Sequence, residues 1–130
     1  MPPCPKPTEA ELAILRVLWS EGPSTVRHVL TELARARPTG YTTVLKLLQI
    51  MTDKGLVRRD ESGRTHVYRA RLSEERTQQQ LVNDLLDRAF GGSAATLVMR
   101  ALAVSRTSEE DMATIRRLLA KPRRKPGSSA

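Results

Sequence analysis

The sequence is poor in several features that would each announce a class of protein. Its single cysteine, Cys4, stands among prolines, so there is no disulfide framework and no thiolate pair for a metal, and a reducing compartment fits. It has no run of about 18 apolar residues. The opening Met1-Pro2-Pro3-Cys4-Pro5-Lys6 has none of the apolar core of a secretory leader. No membrane insertion is therefore expected, and the expected location is the cytoplasm. Aromatic residues make up only 3% of the 130 positions, so Trp19, Tyr41, Tyr68 and Phe90 are expected to anchor a core built otherwise from Leu, Val, Ile and Ala, a composition that favours helices. This length leaves room for one ordinary domain, or a small domain with an assembly element, and excludes large catalytic architectures.

What the chain has in excess is positive charge. The formal balance is +8, with a sequence pI near 10.5, which points to a polyanionic partner because cations that neutralise phosphates release condensed counterions. The excess is uneven. Residues 1–72 carry 12 basic and 7 acidic side chains, residues 73–120 carry 6 and 7, and residues 121–130 carry 4 and none.

Thr8 and Glu11 form the capping-box spacing, followed by Leu12, Leu15, Leu18 and Trp19 at helical intervals until Glu21-Gly22-Pro23. Ser24 or Thr25 can cap a second helix with Val26, Val29, Leu30 and Leu33 inward, ended by Arg37-Pro38-Thr39-Gly40. A third helix is predicted from Tyr41 to Lys54, with Val44, Leu47, Leu48 and Met51 on one face and Gly55 as a left-handed cap. At 100° per residue, Thr42, Lys46, Gln49 and Asp53 share the opposite face, flanked by Thr43 and Ile50. The period then drops to two in 56–59 and 65–70, around the turn Asp60-Glu61-Ser62-Gly63, which predicts a hairpin. Three helices and a hairpin in this order make a winged helix-turn-helix, whose third helix can enter a DNA major groove.

From Ser73 onward the pattern is purely helical. Leu81, Val82, Leu85, Leu86 and Phe90 form a wide stripe ended by Gly91-Gly92, followed by a helix with Leu97, Val98 and Leu102 and another, capped by Ser108, with Met112, Ile115, Leu118 and Leu119. About 40 residues seldom fold unaided, so a second copy is expected to cover these faces. The expected fold is thus mostly α with a small β-hairpin: a disordered N-terminal tail (1–7), a winged-helix domain (8–72), a helical dimerisation region (73–120) and a disordered basic tail (121–130). The expected seam comprises Leu81, Leu85, Leu86, Phe90, Leu97, Val98, Leu102, Ile115, Leu118 and Leu119.

The candidate chemistry is nucleic-acid recognition. Short hydroxyls, an ammonium and an amide on helix 3 (Thr42, Thr43, Lys46, Gln49) can reach phosphates, adenine edges and thymine methyls. Arg64 at the hairpin tip is placed for backbone phosphate or a minor groove, and Arg58 on the strand is a further candidate. Thr25 and Arg27, at the start of helix 2, are candidates for gripping phosphate. The remaining strand arginines, Arg59, Arg69 and Arg71, fit edge protection equally well, and Arg123, Arg124 and Lys125 fit a solubilising extension. His28 and His66 read as isolated surface or packing residues, without Cys, Asp or Glu at zinc-site spacing, so no metal is expected. There is no nucleophile elbow, no base beside a serine and no glycine-rich phosphate loop, so neither an enzyme nor a cofactor is expected. The competing class is a winged-helix protein-interaction module whose basic residues serve solubility.

Taken together, the run Thr8 to Trp19 (TEAELAILRVLW), Tyr41 to Leu48 (YTTVLKLL), Lys54 to Val57 (KGLV), and Phe90-Gly91-Gly92 before a Leu97-Val98 helix resemble the BlaI/MecI penicillinase-repressor family, to which copper-responsive CopY-type repressors also belong. The resemblance spans about residues 7 to 120. It implies a homodimeric repressor of β-lactamase or related genes on an inverted repeat of double-stranded DNA, relieved when a membrane sensor protease triggers cutting in the dimerisation region. Thr42, Thr43 and Lys46 would be groove residues and Arg64 a wing residue. The family's cut typically falls between an asparagine and a phenylalanine; here the matching place reads Val98-Met99-Arg100-Ala101-Leu102, with Arg100-Ala101 as the candidate bond. The copper branch's C-terminal Cys-x-Cys pattern is missing, which disfavours copper sensing.

Overall fold

The structure, a computed structural model, describes residues 6–121. Cys4, the basic cluster Arg123, Arg124 and Lys125, and with them most of both expected tails lie outside the described residues. The elements are α1 (Glu9–Glu21), β1 (Ser24–Thr25), α2 (Val26–Ala34), α3 (Tyr41–Lys54), β2 (Val57–Asp60), β3 (Val67–Ala70), α4 (Glu74–Ala89), α5 (Ala94–Val104) and α6 (Glu109–Ala120). They fall into two units that part between Leu85 and Leu86, within α4.

In the first unit the hydrophobic core gathers Ile14, Leu15 and Leu18 from α1, Val26 and Val29 from α2, Val44, Leu48 and Met51 from α3, and Leu56, Val57 and Tyr68 from the wing. Full burial of each such side chain contributes roughly 1.5–3 kcal/mol before the entropy of ordering is subtracted. The buried stripe of α1 includes Ile14 and Glu11, while Leu12 and Trp19 are only partly covered. The physical reason is that α1 packs on α2, α3 and β3 together, so its inner face is wider than one stripe. Trp19 makes use of its position: its indole Nε1–H donates to the Leu72 carbonyl at 3.0 Å, tying α1 to the end of the wing. Tyr68 is an anchor as expected, at 1% exposure. Tyr41 is not; it is 44% exposed, because it opens α3 on the solvent side of the core.

The hairpin is in fact part of a three-stranded antiparallel sheet in the order β1-β3-β2. Ser24 pairs with Tyr68 and Thr25 with Val67, while β2 pairs with β3 from Val57↔Ala70 to Asp60↔Val67. Of the two cap candidates for α2, Thr25 is the cap, its hydroxyl accepting from the His28 amide at 3.1 Å. Gly55 closes α3 at φ 81, and the amides of Gly55 and Leu56 return to the carbonyls of Thr52 and Met51. This left-handed turn, costly for any residue with a Cβ, sends the chain straight into β2. Pro7 is buried, and Lys6 pairs with Asp84 of α4 at 2.9 Å.

One polar group is deeply buried and charged. Glu11 is 2% exposed; its carboxylate accepts from the Thr8 amide at 2.9 Å and from Lys54 Nζ at 2.7 and 3.0 Å. Burial by itself would raise this carboxyl, but hydrogen bonds from Lys54 and Thr8 and the attraction of the Lys54 charge outweigh it and hold the pKa below its ordinary value of 4.5.

In the second unit, Gly91 and Gly92 take positive φ (54 and 83) and end α4, with the Gly92 amide bonded to the Leu86 carbonyl at 2.8 Å. Ser93 caps α5 and Ser108 caps α6 through the amides of Thr96 and Asp111. Neither α5 nor α6 contains a buried residue. No helix among the described residues is long and apolar enough to cross a membrane.

Two outcomes follow for the Glu11 contact. Lys54→Ala, which leaves the carboxylate buried without its cation, should lower stability by roughly 2–4 kcal/mol in urea unfolding. Because the folded-state pKa is depressed, the contact stabilises fully above the unfolded value and is lost as pH falls below about 4.5; Glu11→Gln should flatten that acid limb.

Candidate nucleic-acid interface

The outer face of α3 is open. Thr42, Thr43, Lys46 and Gln49 are all exposed, as is Asp53 at the C-terminal end of the same strip. Lys54, next in sequence, turns inward to Glu11, so the cation left on the outer strip is Lys46. Thr43 stands slightly apart. It lines an apolar groove of about 560 Å³ between α1, the end of α2 and α3, together with Ala13, Leu33, Arg37 and Leu47.

A second cleft, about 290 Å³, lies where the starts of α2 and α3 meet the wing. It brings together three of the expected residues, Thr25, Arg27 and Arg64, and adds Tyr41, Leu45 and His66, which spacing alone did not single out. The Arg27 guanidinium lies 5.6 Å from the Tyr41 ring centroid, a cation–π stack that fixes the side chain without neutralising it. The Thr25 hydroxyl is already engaged in capping α2. The structure does not bring Arg58 to this cleft: it is exposed on the outer strand β2, directly opposite Arg69.

The wing's acids are occupied locally. Glu61 takes Arg59 at 3.2 Å and His66 at 3.4 Å, and Asp60 accepts from the Ser62 amide at 2.9 Å, with hydrogen bonds from Ser62 holding its pKa below the usual carboxylate range. Arg27, Lys46, Arg58 and Arg64 form no ion pair among the described residues. Cations left without internal counterions are what a phosphate ladder needs.

The isolation of His28 expected from sequence is corrected by the structure. Glu32, one helical turn on, and Glu21, at the end of α1, both approach it, with His28 Nε2 3.2 Å from Glu21 Oε1. His66 likewise has Glu61 beside it.

Three helices, a wing closed by β1, and an open third-helix face define a winged helix-turn-helix protein. The family model described as "Penicillinase repressor" matches residues 7–121, and the chain belongs to that family. It is 33% identical over 115 residues to the transcriptional regulator BlaI of Mycobacterium tuberculosis, covering 86% of this chain and 81% of the relative. To the penicillinase repressor of Bacillus licheniformis it is 23% identical, covering 88% and 90%. Among solved structures it is similar to the DNA-binding domain of the repressor BlaI (TM-score 0.50, 26% identity, 57% of this chain and 90% of that one). It is also similar to monomeric B. licheniformis BlaI in complex with the blaP half-operator (TM-score 0.50, 25% identity, 58% and 92%).

The exposed strip should be separable from folding. Lys46→Ala and Gln49→Ala are expected to leave the urea midpoint within about 0.5 kcal/mol of the parent, whereas Tyr68→Ala should cost about 3–5 kcal/mol.

Proposed function

We propose that this protein is a sequence-specific DNA-binding transcriptional repressor that acts as a homodimer on an inverted-repeat operator, of β-lactamase or related genes. The observation that carries this reading is the set of cations that pair with no acid among the described residues, Lys46 on α3 and Arg27 and Arg64 around the cleft beside it, flanking an exposed hydroxyl and amide strip. In this reading Thr42, Thr43, Lys46 and Gln49 face base edges and adjacent phosphates in the major groove. Arg27 and the first turn of α2 hold backbone phosphate, Arg64 reaches the backbone from the wing, and Arg58 acts peripherally. The solved half-operator complex of a family member supports it.

Pairing is inferred through the C-terminal helices. Leu85, Val98, Leu102, Leu118 and Leu119 are all 38% or more exposed in the single chain, and Leu81, Leu86, Phe90, Leu97 and Ile115 are only partly covered; water does not favour that much open apolar surface. Relief is inferred to come from a sensor-linked protease cutting at Arg100-Ala101, both exposed within α5.

A salt-controlled titration tests the DNA reading. The full chain should prefer an inverted repeat over scrambled competitor by roughly a thousandfold or more, and Lys46→Ala or Arg64→Ala should weaken binding and reduce the salt slope by about one. Equal binding to both duplexes would instead favour a protein-interaction module. For the seam, Leu119→Asp should convert the sedimenting species to a monomer with unchanged helical content; an unchanged mass would rule this surface out.

A further inference from the structure

Away from the DNA-facing cleft, one group of side chains combines the donor types of a transition-metal site. Glu21 is the last residue of α1. Gly22, at φ 83, and Pro23 turn the chain into β1, and α2 then starts so close by that His28 and Glu32, one turn apart on the same helix face, look back at Glu21. One donor atom from each of the three lies within 4.8 Å of the others. We propose that Glu21, His28 and Glu32 form a surface site for a divalent transition-metal ion of the zinc class, linking the end of α1 to the first turns of α2.

The chemistry favours that class. One imidazole nitrogen with two carboxylates is a mixed N/O set suited to Zn²⁺, with the fourth position left to water. Magnesium and calcium prefer more oxygens and no imidazole. Two carboxylates and a neutral histidine also balance the dication's charge. Three donors sharing one zinc at about 2.1 Å stand roughly 3.4 Å apart, so the observed separations close by turning the outer torsions of the two glutamates. Two existing contacts would be exchanged. His28 Nε2 would exchange its 3.2 Å contact with Glu21 for the metal, leaving the ring proton on Nδ1. Glu32 would release Arg35, now at 3.4 Å, whose side chain is 74% exposed against 20% for Glu32, an exchange that costs little because the guanidinium stays in water.

The test is calorimetric titration of the full chain with Zn²⁺, in a Cys4→Ser background that removes the only thiol. The expected result is one ion per chain, a raised thermal midpoint with zinc present, and affinity lowered at least about tenfold by His28→Ala and by the nearly isosteric Glu32→Gln. His66→Ala should leave binding unchanged. Melting without zinc checks that each variant is folded. No saturable binding, binding indifferent to His28→Ala, or equal loss in His66→Ala would each overturn the site, and none of these results bears on operator recognition.

Discussion

The fold turns on a single carboxylate. Glu11 serves as the returning half of the α1 capping box and as the receptor for Lys54 at the far end of α3, so one side chain ties the start of α1 to the end of α3. A buried charge tolerates little displacement, since losing its cation or its amide donor leaves a desolvated ion. Lys54 is followed at once by Gly55 and the turn into β2, so the same contact sets the point from which the wing departs. Hydrophobic burial of Val44, Leu48 and Met51 turns one face of α3 inward; the ion pair ties the C-terminal end of that helix to the start of α1.

Most of this architecture was legible in the sequence because it rests on local periodicities. The α3 limits, Gly55 as a left-handed cap, the caps at Thr8 and Ser108 and the open strip of Thr42, Lys46 and Gln49 follow from spacing at 3.6 residues and from cap chemistry. Features made by distant partners were not legible. β1 is two residues long and exists only because Tyr68 and Val67, over forty positions away, pair with it. Tyr41 looks like a core aromatic by composition, yet the chain path places it outside, under Arg27. His28 gained carboxylate neighbours through a turn that periodicity does not describe, although Glu32 at one helical turn was a readable sign. The cleft joining Arg27 to Arg64 likewise depends on tertiary folding.

The charges of the first unit are sorted. Acids at Glu11, Glu21, Glu32 and Glu61 are engaged with Lys54, His28, Arg35, and Arg59 with His66, respectively, while cations at Lys46, Arg27 and Arg64 lie outside those pairs. The positive charge not consumed by these pairs therefore sits on α3, at the start of α2 and at the wing tip, with Asp53 the exposed acid at the end of the same α3 strip.

The short strand β1 has a mechanical consequence. Because Thr25 is at once the cap of α2 and a rung of the sheet opposite Val67, the helix-turn-helix and the wing are welded at one residue and must tilt together. Freedom that a loose hairpin would surrender on meeting a ligand is surrendered here during folding. Extra residues in the 61–66 turn would thus only lengthen the tip, but a single insertion inside β3 would shift the register and disturb both halves of the reading head at once.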